Sequence, residues 1–387
     1  MCIRDRPYMV HKSWLVLMPL MVLLMGCTAH KAATTHSSSN TEYGKFNGVT
    51  LDVSRRHYRV STLRRYIHLV ADNHGSFIQL HFSDDKDFAI ENNYVGQSIK
   101  NARKINGVWH NKKTNQFFYS QAEIKSLVKD AKRQGITLIP EIDTPAHVTA
   151  LVETMKANGK AKLAKQVSWY SKSYRDEIHL NQAGIQFVNK LNDEVGEDFA
   201  NQSNARFHLG GDEFTDKVKS NAPYVKYLSA TSQNVEKMGF IPEAWNDGFL
   251  NSSLSKLNKD IQVTYWSWTA DQHGSLGKQR QKYWASMPKL IKHGFKVLNY
   301  NDYYLYFNLS KANISKKNVN YMISDMKQYW KPTLWHNDND TTLKSKRGIV
   351  GSSVSLWADA AGSITDQQVY QASNKFIKTF LKLAEDR

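Results

Sequence analysis

The sequence predicts an α/β fold, a single (β/α)8 TIM barrel. Three observations support this prediction. The chain contains eight apolar, β-branched runs, and segments with helical spacing lie between most of them. Each run also ends in polar, aromatic or acidic residues. Eight strands that alternate with helices over about 340 residues fit such a barrel, whose active site lies at the carboxyl ends of its strands.

The predicted strands are spread over the whole chain from residue 48 onward. They cover residues 48–55, 76–85, 136–143, 205–213, 241–248, 261–268, 296–306 and 348–359. Helical spacing predicts helices within 119–135 and 182–199, and Gly135 is the expected C-cap of the first. The connection between the fifth and sixth runs is short, so we expect its helix to be reduced or absent.

The alternative fold is a doubly wound open sheet. Such a sheet would favour a glycine-rich phosphate-binding loop after its first strand. Here the residues at and just after the end of the first predicted strand are Ser54, Arg55, Arg56 and His57, which do not form a glycine-rich loop. The barrel is therefore favoured, and we expect it to span 48–387 as one domain.

The start of the chain is interpreted as an export and anchoring segment. Lys12 precedes the apolar run WLVLMPLMVLLM, which is too short to span a bilayer and suits the core of an export signal. The ending LLMGC resembles the lipobox of bacterial lipoproteins, in which cleavage leaves an acylated cysteine at the amino terminus. We therefore predict a signal peptide over 1–26, then a lipidated Cys27 and a flexible, Ser/Thr-rich tether over 27–47.

This segment also predicts the location of the protein. An exported lipoprotein would be anchored to the bacterial cell envelope through Cys27, with the outer membrane as the expected site, or it would be secreted. Met9 is the more natural start of the signal, and residues 1–8 are interpreted as non-native sequence. The only other cysteine is Cys2, so no disulfide is expected and the fold must rely on core packing.

The overall charge is strongly basic. The chain has 387 residues, of which 41% are hydrophobic and 22% charged, and a formal net charge of +17. Lys and Arg are spread along the chain, with only short groups such as 344–347, which favours a generally basic exterior over a nucleic-acid-binding patch. No nucleic-acid partner is predicted, and attraction to an anionic membrane or matrix stays open.

The carboxyl ends of the predicted strands carry acids, histidines, tyrosines and tryptophans. The set comprises Arg55, His81, Asp84, Glu141, Asp143, His147, Asp212, Glu213, Trp245, Asp247, Trp266, Trp268, Tyr303, Tyr304, Trp357 and Asp359. Indole faces stack on the C–H faces of sugar rings, while carboxylates and Arg hold hydroxyl groups. A single Trp is more often a core residue, but tryptophans at three different strand ends favour a sugar-binding site.

The stretch FHLGGDEF places two glycines before two adjacent acids, Asp212 and Glu213. Neighbouring carboxylates repel one another, and glycines weaken the element that contains them. A surface turn would explain these residue types, but a segment that breaks two local preferences is favoured as a functional site. Gly210 and Gly211 would let the chain bend, so that both acids reach one ligand.

Several of these motifs resemble those of glycoside hydrolase family 20, the β-N-acetylhexosaminidases. HLGGDEF resembles the family signature H-x-G-G-D-E, LIPEIDTPAH its strand-three motif and LHFSDD its strand-two motif. The resemblance extends from about Gly48 to the end of the chain. Within the family, LDVSRRHY, WNDG and VLNYNDYYLY are most similar to the dispersin type, which hydrolyses the poly-N-acetylglucosamine of biofilm matrix.

The resemblance implies a retaining, substrate-assisted mechanism. The nucleophile is the 2-acetamido oxygen of the sugar itself, so the protein supplies one acid and one fixed anion. Glu213 is the implied general acid, and later the base, while Asp212 is the implied orienter and charge stabiliser. Tyr304 resembles the tyrosine that donates a hydrogen bond to the acetamido oxygen, with Tyr303 as the alternative.

The other site residues follow from the same resemblance. Asp84 and His147 resemble a relay behind the general acid, although His147 is equally well explained as a satisfied core histidine. The implied substrate-binding residues are Arg55, Trp245, Asp247, Trp266, Trp357 and Asp359. The family commonly has Glu where this chain has Asp359, and the shorter side chain leaves selectivity at that position open.

The implied reaction is hydrolysis of terminal or internal β-linked N-acetylglucosamine. Poly-β-1,6-N-acetylglucosamine is the favoured polymer, and chitin oligomers or other β-linked glycans are alternatives. The positive net charge argues mildly against a partly deacetylated, cationic polymer.

Two further classes stay open from the residues alone. A sugar-binding lipoprotein without catalysis is one of them. The other is a metal-dependent hydrolase, for which the candidate ligands are His81, His147, His208, Asp84 and Asp212. These residues lack the usual ligand spacings, so no metal or cofactor is expected.

Overall fold

Eight parallel strands close into a barrel in the computed structural model, which describes residues 43–215, 221–270, 272, 274–336 and 341–387. The strands are β1 (Gly48–Asp52), β2 (Phe77–His81), β3 (Thr137–Thr144), β4 (Arg206–Gly210), β5 (Ile241–Trp245), β6 (Gln262–Tyr265), β7 (Lys296–Asn299) and β8 (Ile349–Trp357). Each strand pairs with the next, and β8 pairs with β1. The predicted (β/α)8 fold is therefore confirmed, and one barrel strand begins within each of the eight predicted runs.

Helices return the chain from the carboxyl end of one strand to the amino end of the next. They are α1 (Val60–Ala71), α2 (Gln121–Arg133), α3 (Thr149–Met155), α4 (Ala161–Val167), α5 (Gln182–Glu197), α6 (Ala222–Lys237), α7 (Gly274–Tyr283), α8 (Met287–Lys292), α9 (Asp302–Leu305), α10 (Lys316–Tyr329) and α11 (Asp366–Asp386). Helices α2 and α5 confirm the two that apolar spacing predicts. Gly135 follows α2 with a φ of +70°, as expected after a helix.

The connection between β5 and β6 is reduced, as predicted. Its described residues contain only two 3₁₀ turns, Asn246–Gly248 and Leu254–Lys256. Asp247, which follows β5, is contacted by Trp266 and Arg280 from later elements.

Short antiparallel strands lie outside the barrel. A three-stranded sheet comprises Ala102–Ile105, Val108–Asn111 and Phe117–Phe118, and the 3₁₀ turn Ile99–Asn101 precedes it in the connection from β2 to α2. A two-stranded hairpin, Ser168–Ser171 with Arg175–Ile178, lies between α4 and α5, and the π-helical turn Lys156–Lys160 joins α3 to α4. These insertions follow the carboxyl ends of β2 and β3, where a barrel has its active site.

The prediction of one long strand over 296–306 is wrong. The strand β7 has only four residues, and the side-chain oxygen of Asn301 accepts hydrogen bonds from the backbone N–H groups of Tyr303 and Tyr304, both at 3.1 Å. These bonds cap the short helix α9. The chain then forms another strand, Tyr306–Asn308, parallel to the end of β8.

Residues 44–47 pack against the barrel. The Phe46 ring stacks on Phe77 with centroids 4.7 Å apart, and nearby backbone N–H groups donate to carbonyls of β8. Residues 44–47, which the sequence assigns to a flexible tether over 27–47, are therefore held against the barrel. The rest of the tether, the predicted signal peptide and Cys27 lie outside the described residues. Among the described residues, no helix is long and apolar enough to cross a membrane.

The barrel interior contains paired polar side chains. Near the amino ends of the strands, the guanidinium of Arg206 donates to Glu243 Oε1 at 2.7 Å and also to Gln262. Nearer the carboxyl ends, Gln79 donates to Glu141 Oε2 at 2.7 Å. Pairing offsets the cost of burying these charges, and the aromatic side chains of the site lie above them.

Candidate active site

The turn after β4 carries the two adjacent acids. Gly210 and Gly211 have φ angles of +75° and +91°, and Glu213 has a φ of +40°, so the chain bends just before and within the acidic pair. A Cβ on Gly210 would lie 2.0 Å from Asp143 Oδ1, and one on Gly211 would lie 2.4 Å from the Tyr224 hydroxyl oxygen. Both glycines are therefore required for conformation and for space.

A third carboxyl group lies beside the acidic pair. Asp143 Oδ1 accepts hydrogen bonds from the backbone N–H groups of Gly211, at 2.9 Å, and of Asp212, at 3.5 Å. Burial raises the pKa of Asp143 to about 7. Burial, together with the carboxylates of Asp247 and Glu213, raises the pKa of Asp212 well above its ordinary value. The crowded acids therefore retain protons at a pH where isolated carboxyl groups are ionised.

Asp84, His147 and Glu213 form a line of titratable groups. His147 Nδ1 lies 3.6 Å from Asp84 Oδ2, and His147 Nε2 lies 3.8 Å from Glu213 Oε2. Burial alone would lower the pKa of His147, but Asp84, Asp143 and Asp212 raise it to about 10. The structure thus brings Asp84 and His147, the two predicted relay residues, close to Glu213, with a positively charged imidazole beside the predicted acid.

Arg55 joins three carboxylates at the edge of the site. Its Nη1 lies 3.0 Å from Asp52 Oδ2, its Nη2 lies 2.6 Å from Asp84 Oδ2, and its Nε lies 3.2 Å from Asp359 Oδ1. The Asp52 and Asp84 side chains are buried, whereas 60% of the Asp359 side chain is exposed. Arg55 therefore holds the short Asp359 side chain at the mouth of the barrel, with most of its surface accessible.

The three predicted tryptophans lie together at the carboxyl ends of the strands. Trp245 Nε1 donates to Glu141 Oε1 at 2.7 Å, and Trp266 Nε1 donates to Asp247 Oδ2 at 2.7 Å. The Trp357 ring centroid lies 6.1 Å from that of Trp245. Because two of the indoles are fixed by carboxylates, the rings form a wall that needs little rearrangement to receive an apolar ligand face.

Asp247 supports a tryptophan. The sequence predicts that Asp247 binds substrate, but both of its carboxylate oxygens contact protein side chains. Oδ2 accepts from Trp266, and Oδ1 accepts from Arg280 Nη2 at 2.8 Å. Arg280 in turn lies over the Trp284 ring, 4.3 Å from its centroid. These contacts favour a positioning function for Asp247. Arg280 was not predicted as a site residue, because it lies in α7 and not at the end of a strand.

Tyr306 lies among these rings. It stacks on Trp266, with centroids 6.3 Å apart and an interplanar angle of 12°, and it contacts Trp357 edge-on at 5.6 Å. Burial and the nearby carboxylate of Asp212 raise the pKa of Tyr306 well above its ordinary value. Its hydroxyl group therefore lies in the electrostatic field of the acidic pair.

The structure places the predicted Tyr304 elsewhere. Tyr304 is buried in the large apolar core that also contains the helix residues, and the Tyr303 ring lies edge-on to it with centroids 4.7 Å apart. The assignment of Tyr304 to the site is therefore corrected to Tyr306. The short helix α9 explains the difference, because a helical turn changes which tyrosine side chains face the site compared with a continuous strand.

A network of hydrogen bonds and ion pairs connects Trp245 with Asp84. Glu141 accepts from Gln79 and Trp245, and its Oε2 lies 3.0 Å from His81 Nδ1. His81 Nε2 lies 3.1 Å from Asp84 Oδ2. Burial alone would lower the pKa of His81, but Glu141 and Asp84 raise it well above its ordinary value. His81 and Glu141 are predicted as site residues from their positions at strand ends. Their contact with each other is not predictable from the sequence.

The candidate metal ligands are engaged in other interactions. His208 Nε2 lies 2.8 Å from the Thr264 hydroxyl, and burial lowers the pKa of His208 to about 4. Asp143, His147 and Asp212 have potential ligand atoms within 4.8 Å of one another. However, His147 is held as a cation with a pKa of about 10, and a metal requires the neutral ring. This donor set fits a proton-handling site better than a metal centre.

The arrangement can support acid catalysis beside an apolar pocket. The Glu213 side chain is 38% exposed and has a charged imidazole behind it. A ligand held against Trp245 and Trp357 would present a polar atom to Glu213 and another to Asp212. A proton donor and an anion on one ligand are the requirements for cleaving a bond to an oxygen leaving group.

Comparisons with known proteins agree with this arrangement. Residues 45–373 match the model of glycosyl hydrolase family 20, catalytic domain. The structure is similar to the crystal structure of Dispersin B, with a TM-score of 0.83 and 29% identity, covering 88% of this chain and 99% of that chain.

Two curated relatives are more distant. A β-hexosaminidase of Vibrio furnissii is 25% identical over 69% of this chain and 44% of its own length. A chitooligosaccharidolytic β-N-acetylglucosaminidase of Bombyx mori is 22% identical over 83% of this chain and 54% of its own length. This chain therefore spans about half the length of these two relatives.

Proposed function

The chain belongs to glycosyl hydrolase family 20, and on this basis we propose that it is a β-N-acetylhexosaminidase that hydrolyses β-linked N-acetylglucosamine with retention of configuration. The observation that carries the proposal is the turn after β4. There Glu213 lies 3.8 Å from a charged His147, and Asp212 precedes it in a bend that two glycines permit. This turn supplies a proton donor in Glu213 and, in Asp212, a carboxyl group whose ionised form is favoured as positive charge develops on the substrate, which suits substrate assistance.

In the proposed reaction the substrate provides the nucleophile. The carbonyl oxygen of its 2-acetamido group attacks the anomeric carbon, the bond to the leaving oxygen breaks, and a cyclic oxazolinium ion forms. Glu213 gives its proton to the leaving oxygen. It then removes a proton from the water that opens the ring, which restores the starting protonation state of Glu213 and the configuration of the sugar.

Asp212 is proposed to stabilise the positive charge that grows on the acetamido nitrogen. Its raised pKa, due to burial and to the carboxylates of Asp247 and Glu213, disfavours the ionised form. An amide N–H that gains positive charge beside Asp212 favours that ionised form. The stabilisation is therefore larger in the transition state than in the ground state, as catalysis requires.

Aromatic residues would hold the acetamido group in place. Tyr306 lies between Trp266 and Trp357, where its hydroxyl group could donate to the acetamido oxygen and keep it near the anomeric carbon. Trp245 would contact the acetamido methyl group, and Arg55 together with Asp359 would hold hydroxyl groups of the sugar.

The proposed substrate is poly-β-1,6-N-acetylglucosamine of biofilm matrix. The dispersin-type motifs and the likeness to Dispersin B over nearly all of that chain support it. The net charge of +17 argues mildly against a cationic, partly deacetylated form of this polymer.

We also propose that the enzyme acts in the cell envelope or outside the cell. The apolar run and the LLMGC sequence support export and a lipid anchor on Cys27. Mass spectrometry of the mature protein from its bacterial host tests this proposal. A diacyl modification on an amino-terminal Cys27 is expected, and an unmodified chain that retains residues 1–26 would contradict it.

The activity is tested with oligomers of N-acetylglucosamine, whose poor leaving group needs a proton. The wild-type protein should release N-acetylglucosamine from β-1,6-linked oligomers faster than from β-1,4-linked ones. Glu213→Gln should lower kcat at least about a hundredfold, whereas Glu385→Gln, at an exposed position of α11, should not. No release by the wild type would contradict the proposed activity, and full activity of Glu213→Gln would exclude its assigned function.

A further inference from the structure

An aromatic hairpin lies beside the turn that carries the general acid. Its strands, Ser168–Ser171 and Arg175–Ile178, belong to the connection from β3 to β4. The hairpin contains three large aromatic residues within six positions, namely Trp169, Tyr170 and Tyr174. Trp169 is 38% exposed and Tyr170 is 69% exposed. Exposed aromatic side chains in one short element often mark a binding surface.

The hairpin is hydrogen-bonded to the catalytic turn through Thr215, which lies two residues after Glu213. The backbone N–H of Thr215 donates to Glu177 Oε2 at 3.0 Å, and its hydroxyl group donates to Glu177 Oε1 at 2.5 Å. The Ser171 and Thr215 hydroxyl oxygens lie 2.9 Å apart. The backbone of the hairpin is also joined to the loop after β3, where the N–H of Ile178 donates to the Pro145 carbonyl at 2.8 Å. The position of the hairpin relative to the acid is therefore fixed.

Strand pairing decides which aromatic residue faces the turn. Trp169 pairs with Glu177 and Ser171 pairs with Arg175 across the hairpin. Directly paired residues, and residues two apart in one strand, share a face of the sheet. Trp169 therefore shares a face with Ser171 and Glu177, which hold Thr215. Tyr170, by the same alternation, lies on the opposite face.

Tyr174 lies at the tip of the hairpin, just before its second strand. The backbone N–H of Tyr174 donates to the Ser171 hydroxyl at 3.3 Å, and the ring is half-buried. Its pKa is raised by burial and by the carboxylates of Glu213 and Asp247, so the phenol lies in the field of the general acid. The next residue, Arg175, has a φ of +62° and an Nη1 atom 3.9 Å from Asp85 Oδ2. This strained residue fixes the tip at a second point.

These positions fit a second sugar unit. A sugar held by Trp245, Trp266 and Trp357 occupies the inner part of the mouth, and its leaving oxygen must lie at Glu213. The unit attached to that oxygen then extends past Glu213, toward the hairpin. We propose that Trp169 and Tyr174 form the binding site for the N-acetylglucosamine unit on the leaving-group side of the scissile bond. This inference rests on the proposed hydrolase activity and adds that the enzyme recognises oligosaccharide chains rather than short glycosides.

The experiment compares two substrates of the purified protein. One is a β-1,6-linked tri-N-acetylglucosamine, and the other is β-N-acetylglucosaminyl azide, whose small leaving group cannot reach the hairpin. Trp169→Ala and Tyr174→Ala should each lower the ratio of kcat/KM for the trisaccharide to that for the azide by about tenfold, because an aromatic ring that stacks on the sugar is lost. Tyr174→Phe keeps the ring and should change this ratio by less than about twofold. Turnover of the azide shows that each variant is folded.

Tyr170→Ala is the matched control, since it removes a more exposed ring from the opposite face of the same hairpin. Its ratio should equal that of the wild type. Wild-type ratios in Trp169→Ala and Tyr174→Ala would overturn the inference, as would a loss in Tyr170→Ala as large as theirs. A wild-type protein that acts on neither substrate would contradict the proposed hydrolase activity itself, and the inference with it.

Discussion

Asp143 Oδ1 accepts a hydrogen bond of 2.9 Å from the backbone N–H of Gly211, and this bond joins the end of β3 to the turn that carries both acids. The same oxygen lies where a side chain on Gly210 would project. The shape of the turn, the charge of Asp143 and the identity of the two glycines therefore depend on one another. Two predictions follow from this contact.

Gly210→Ala should destabilise the protein by about 2–4 kcal/mol, because a positive φ and a close contact both oppose the new methyl group. Its Cβ would lie 2.4 Å from the Asp143 Cα. The matched control is Gly135→Ala, where φ is +70° but nothing lies within 4 Å of the added Cβ. That variant should lose only about 1 kcal/mol. Equal losses in guanidinium-induced unfolding would show that the contact with Asp143 has no effect.

Asp143→Asn should change how stability depends on pH. The folded pKa of Asp143 is about 7, above the ordinary value, so the folded wild type binds more protons than the unfolded chain between about pH 4 and 7. Its stability contribution is therefore present at low pH and is lost as the pH rises through 7. The Asn variant lacks this loss, so its Tm relative to wild type should be higher at pH 8 than at pH 4.5, by about 2–5 °C. A difference that is the same at both pH values would contradict the assignment.

The sequence predicts the scaffold more accurately than the side chains within it. Each barrel strand lies in a largely apolar run that ends in polar residues, so a local pattern is sufficient to predict where all eight begin. The tyrosine-rich run over 296–306 favours a strand, whereas Asn301 caps a helical turn within it. Residue composition is a local signal, and a side-chain cap can override it.

Other parts of the site depend on contacts between distant segments. Glu141 and Trp245 are 104 residues apart, and Arg280 reaches Asp247 from a helix beyond the next strand. No spacing rule links such pairs, because the closure of the barrel brings them together. Family motifs could identify the acids at strand ends, but they could not show which oxygen each indole or guanidinium contacts.

The corrected tyrosine is directly testable. Tyr306→Phe should lower kcat/KM for N-acetylglucosaminides by about a hundredfold, because it removes the hydrogen bond that we propose to the acetamido oxygen. Tyr304→Phe should change kcat/KM by less than about threefold, since its ring lies in the apolar core. Circular dichroism should show that both variants are folded. The opposite order of effects would restore the assignment to Tyr304.

The central claim is that the sugar's own amide performs the displacement while Asp212 and Glu213 assist it. The most direct measurement compares the 4-nitrophenyl β-glycosides of N-acetylglucosamine and of glucose, which differ only at the 2-position. Loss of the intramolecular nucleophile should lower kcat/KM for the glucoside by at least about a thousandfold. Hydrolysis of both glycosides at comparable rates would show that the protein supplies the nucleophile, and would contradict this mechanism.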